Sequence, residues 1–172
     1  MKIIMYAVLV AMSVSGIPAL AMDDVEITAA RKKLDSSKDK PAAGITTEEK
    51  AIIYVATVEN TAFKPLENVT VKYNIFYEDV ELGSTAKPVV KSIKGARAFA
   101  SILRSDKVEF DTEAITLGND SLGGNYYFAN GGESRARDKV VGVWFKAFDA
   151  AGKAIGEYAN PSTVSKKQTW KD

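Results

Sequence analysis

The clearest pattern in the chain lies between Val69 and Tyr77, where Val69, Val71, Tyr73, Ile75 and Tyr77 recur at every second position. Thr70, Lys72 and Asn74 fall between them, and Phe76 is the one apolar intruder. Successive side chains of a strand point to opposite faces, so this period of two predicts a strand with one buried face. Residues 51–58 (AIIYVATV) and 140–148 (VVGVWFKAF) are apolar at nearly every position. Runs of that kind predict central strands covered on both sides, with Trp144 in the core.

Weaker signals fill in the rest. Val25-Glu26-Ile27-Thr28 alternates and predicts an opening strand, preferred over a helix across residues 24–34 that Ala29–Leu34 would favour locally. Residues 35–49, with Pro41 and Gly44, read as a polar connecting loop, and residues 60–68 as a turn around Pro65. Residues 88–94 predict a short edge strand ended by Gly95, with Lys87, Lys91 and Lys94 deterring edge pairing. Residues 99–103 and 107–110 are extended pieces, and the apolar phase changes between Phe110 and Ile115, which predicts a bulge or bend near Thr112. A hairpin turn at 149–152 leads to a return strand at 154–158. Seven or eight strands so spaced predict an all-β fold, a two-sheet antiparallel sandwich of immunoglobulin or fibronectin-III type, with a small barrel as the alternative.

The first residues change the picture. Lys2 precedes an apolar stretch from Ile3, and Pro18 breaks it before Ala19-Leu20-Ala21, a small-x-small cleavage signature. Residues 1–21 therefore read as a signal peptide. Ser13, Ser15, Gly16 and Pro18 leave the run short of the roughly 20 apolar residues a membrane span needs, so no stable insertion is expected after cleavage. The remaining organisation is residues 22–49 as first strand and connecting loop, 50–160 as the sandwich body and 161–172 as a polar, frayed tail. Localisation is expected to be periplasmic or extracellular, in a bacterial cell.

Charge and chemistry then narrow the function. The chain has 23 basic and 22 acidic residues, and the signal holds one of the lysines. A neutral mature chain argues against nucleic acid as a partner. Histidine and cysteine are both absent. That excludes Ser-His and Cys-His nucleophiles and the familiar zinc sites, and no cofactor is expected.

Val58-Glu59-Asn60-Thr61, the run from Pro65 to Tyr77, and Leu103-Arg104-Ser105-Asp106-Lys107-Val108-Glu109-Phe110 form a pattern over residues 50–117. In it the chain resembles the immunoglobulin-like modules of bacterial envelope proteins, of the FxLYD and CARDB kind. Tyr77-Glu78-Asp79 stands where such modules carry a tyrosine-aspartate-glycine turn. The resemblance implies the fold and brings no catalytic residues.

The segment 118–138 is long, rich in glycine and asparagine, and carries Tyr126, Tyr127 and Phe128. These aromatics are candidates for binding a partner or stacking on a sugar, although aromatics so placed usually plug the open end of a sandwich. Trp170, in the polar tail, is a further candidate that either anchors a partner or folds back. Asn119, Asp120, Asn125, Glu133 and Asp138 offer oxygens but match no EF-hand spacing, so no metal is expected. Glu109 and Asp111 alternate with apolar residues and read as a solvated strand face rather than a glycosidase pair. The expectation is a non-catalytic secreted or periplasmic immunoglobulin-like module that binds another envelope or extracellular protein. The alternative is a carbohydrate-binding module using the aromatic loop, and a hydrolase ranks third.

Overall fold

A computed structural model describes residues 23–39, 44–124 and 126–170. The signal peptide expected over residues 1–21 and its expected cleavage point before Met22 lie outside the described residues. The strands are β1 (Val25–Asp39), β2 (Ile45–Asn60), β3 (Leu66–Asp79), β4 (Val89–Ile102), β5 (Lys107–Asp111), β6 (Ile115–Leu122), β7 (Arg135–Arg137), β8 (Lys139–Phe148) and β9 (Ala154–Asn160). One sheet runs β1-β2-β6-β7, with β5 also paired to β2, and the other runs β4-β3-β8-β9. All pairings are antiparallel. The fold is a two-sheet antiparallel β-sandwich. Among the described residues no pairing joins one sheet to the other, which sets the barrel aside.

The alternating positions of β3 face inward as the period of two requires: Val69, Val71, Tyr73 and Ile75 are buried and Tyr77 packs at the margin. They meet Val143, Phe145 and Ala147 of β8 and Ile52, Tyr54, Ala56 and Val58 of β2. The rings of Tyr73 and Phe145 lie 5.7 Å apart, those of Phe110 and Phe145 6.4 Å. Each such side chain contributes about 1.5–3 kcal/mol by leaving water, and this replaces the disulfides that a cysteine-free chain lacks. Burial also pushes the Tyr73 phenol above its ordinary value, partly offset by the Glu113 N–H that donates to its oxygen at 2.9 Å.

Several elements differ from the sequence reading, for identifiable reasons. Residues 35–39 and 45–49 are not loop but the outer halves of a long β1–β2 hairpin. They project past the core, with Ala30–Asp39 exposed or nearly so, so the alternating apolar signature had nothing to bury. The segment 118–138 likewise contains the end of β6 and all of β7, leaving residues 123–134 as the true connection. Gly95 does not end a strand. It lies inside β4 opposite Tyr73, and a Cβ there would collide with the Tyr73 ring. At Thr112 the ladder does break: its hydroxyl accepts from the Tyr54 N–H while its own N–H donates to the Tyr54 carbonyl, both at 2.9 Å. That exchange separates β5 from β6 along the same neighbour.

The tail is ordered as far as described. After Asn160–Pro161 it forms a short helix, α1 (Val164–Lys167), and Val164 is buried against Phe76 and Trp144 on the outer face of the four-stranded sheet. Phe76, the intruder in the alternation, belongs to this second small core. No helix among the described residues is long and apolar enough to cross a membrane.

Candidate functional site

Three connections gather at one end of the sandwich: the β1–β2 turn at Gly44, residues 80–88 between β3 and β4, and residues 123–134 between β6 and β7. They are tied together by hydrogen bonds. Gly123 donates to the Gly44 carbonyl at 2.7 Å, Gly83 to the Glu133 carbonyl at 3.1 Å, and the Asn130 amide to the Gly83 carbonyl at 3.1 Å. Two glycines make room for the aromatic triplet. A Cβ on Gly44 would stand 3.1 Å from the Tyr126 ring, and one on Gly83 would stand 2.8 Å from the Phe128 ring.

The triplet therefore divides. Phe128 is half-buried over the 80–88 connection, whereas Tyr126 is 64% and Tyr127 84% exposed. The expectation that these aromatics plug the sandwich fails for the tyrosines, because the neighbouring loops already close the end. Val89 is exposed at the same end, and an open cleft of about 550 Å³ runs between residues 80–88 and Gly131, Glu133 and Arg135.

Trp170 is not part of this end. Its ring meets Trp144 edge-on, 5.1 Å between centroids at 78°, and the Lys146 ammonium lies 4.6 Å and 4.9 Å from the two ring centroids. The Trp144 N–H donates to Glu157 at 2.7 Å. Trp144 is thus core, as read from the sequence, but on the outer face of its sheet, with Trp170 folded back upon it.

Two of the oxygen-bearing residues, Asp138 and Asn119, are engaged in structural hydrogen bonds. The Asp138 carboxylate accepts from the Val80 N–H at 2.9 Å and the Gly118 N–H at 2.8 Å, and the Asn119 amide donates to Glu48 at 3.3 Å. Asn125 lies outside the described residues. Among the described residues no group of three or more acidic ligands could hold a metal. Glu109 and Asp111 are exposed on the edge strand β5, Glu109 accepting from the Thr57 hydroxyl at 3.2 Å.

The opposite end carries a feature that no local sequence pattern announces. Asn60 is buried, and its amide donates to the carbonyls of Lys64, Ile102 and Leu103 at 2.9, 2.9 and 3.2 Å. It thereby fixes two connections that present Phe63, 87% exposed, beneath the Arg104 guanidinium at 5.3 Å.

No family model and no curated protein matches the chain. Among solved structures it is similar to one titled "Putative ApaA Protein from Bordetella pertussis", 9% identical over 79% of this chain and 91% of that one, with a TM-score of 0.39. It is also similar to a structural genomics target, SoR45, 9% identical over 87% and 96% of the two chains, with a TM-score of 0.37. Likenesses this loose carry no argument, and the fold stands on the pairing described above.

Proposed function

We propose that the protein is an exported, non-catalytic β-sandwich module of the immunoglobulin-like kind, and that its loop-bearing end binds another protein of the cell envelope. The observation that carries this reading is the exposure of Tyr126 and Tyr127 on a connection braced to both neighbouring loops. Tyrosine offers a large, rigid, amphipathic surface with little side-chain entropy to lose, and bracing lowers the ordering cost of the loop. The export half of the reading rests on residues 1–21 of the sequence.

The same tyrosines suit stacking on a sugar, but a sugar site also needs convergent polar groups for the hydroxyls. Here exposed Val89 and Val90 adjoin the end instead, which favours a protein surface. A photoreactive phenylalanine analogue placed at Tyr127 in expressing cells tests the choice. A discrete protein adduct, lacking when the analogue replaces Glu67 at the other end, is the expected result. No adduct from Tyr127, together with a glycan-array signal from the wild type, would transfer the reading to the carbohydrate-binding class.

A further inference from the structure

Most charges on the projecting part of the five-stranded sheet are sorted by face, with Lys32, opposite Ile53, the basic exception on the outward side. Residues paired directly across strands share a face. Arg31 pairs with Tyr54, Lys33 with Ile52 and Lys50 with Leu117, all core-facing partners. By the same register Lys38 pairs with Glu48, and Arg137 with Asn119, on that inward face. Glu48 is already engaged by Lys50 at 3.0 Å. Asp35, opposite Ala51, and Asp39 and Asp120, both opposite Thr47, occupy the other face. Charge on edge strands deters stray pairing. That purpose does not require so uneven a division between faces, in a chain with 23 basic and 22 acidic residues.

β9 pairs with β8 only as far as Val143–Asn160, so among the described residues the Lys139–Val140 end of β8 has no β9 partner beside it. A cleft of about 350 Å³ lies at that end, lined by Arg31, Leu117, Arg137, Asp138, Lys139 and Val140. Leu117 is buried and Val140 half-buried, so the lining includes apolar surface. Lys139 is paired with Glu78 at 3.1 Å, and both Asp138 oxygens are held by backbone N–H groups. Neither Arg31 nor Arg137 has an ion pair among the described residues.

We infer that this cleft binds an acidic segment of a partner polypeptide, with Arg31 and Arg137 taking its carboxylates and Leu117 and Val140 taking an adjoining apolar side chain. A guanidinium presents a planar fork that a carboxylate fills with two parallel hydrogen bonds. The apolar surface between the forks favours a peptide over a polyphosphate backbone. This inference does not rest on the aromatic loop, since neither Tyr126 nor Tyr127 lines the cleft.

The test is fluorescence anisotropy of a labelled peptide of alternating glutamate and leucine, titrated with the full exported chain. Saturable binding is expected, weakened roughly tenfold by Arg31→Gln and by Arg137→Gln, the scale of one charge-assisted hydrogen bond. Arg31→Lys, which keeps the charge and loses the fork, should recover only part of the loss. Lys32→Gln removes the same charge from the opposite face of β1 and should leave binding within about twofold, the scale of a rim charge. Melting curves of all variants should match wild type, since these side chains are exposed. The inference is overturned by absence of saturable binding, or by an equal loss in Lys32→Gln. Displacement of the peptide by phosphatidylglycerol vesicles or a sulfated oligosaccharide of equal charge would also overturn it.

Discussion

Asn60 ends β2 with its amide nitrogen directed at three carbonyls and its oxygen accepting the Ala62 N–H at 2.9 Å. Asn60→Ala should destabilise the fold by about 2–3 kcal/mol in chemical denaturation, because it strands buried acceptors. Asn60→Asp should be worse, since it turns a carboxylate towards those carbonyls. In the sequence Asn60 is legible only as a turn residue. Its partners Ile102 and Leu103 are distant in sequence, and no local pattern announces such a contact. Glu48 offers a second test at this scale. Hydrogen bonds from Lys50 and then Asn119 hold its carboxyl below the ordinary 4.5. Its contribution to stability is therefore present above that value and lost as pH falls through the depressed one. Carboxyl NMR titration should show the depression, and Lys50→Gln should diminish it.

The strands that the sequence displays well are those with a face to bury. β3 and β8 bring Val71, Ile75, Val143 and Phe145 to the core, and alternation or continuous apolarity follows from that duty. The outer halves of β1 and β2, the end of β6 and the three-residue β7, where Ala136 alone is buried, present no run of apolar positions to the core and read as loop in sequence for the same reason. What holds such strands in place is polar. Asp138 lies where the chain leaves β7 in one sheet and enters β8 in the other, its carboxylate joined to Val80 and to Gly118. Asp138→Ala should cost about 1–3 kcal/mol, the range for charged hydrogen bonds to partly buried backbone, and Asp138→Asn should cost less because one acceptor survives. Equal losses in both variants, measured by urea unfolding, would show that the two oxygens do not act separately.

For the whole molecule, apolar burial and buried hydrogen bonds supply stability without disulfides. Of the candidate site, the aromatic triplet was legible as an oddity of composition. Its division into a packed Phe128 and two exposed tyrosines was not, because it depends on Gly44 and Gly83 brought from other connections. Export makes a separate demand: intact-mass analysis of exported material should give a chain beginning at Met22, and a species retaining Met1 would contradict the signal-peptide reading. The most direct test of the central claim is the Tyr126→Ala/Tyr127→Ala double variant, measured for partner adduct formation and for thermal stability together. Because both rings are largely exposed, the account predicts loss of the adduct trapped by a photoreactive analogue at the neighbouring Phe128, with a melting temperature close to wild type. Adduct formation retained in the double variant, or a loss of several kcal/mol of the kind that buried aromatics cause, would contradict it.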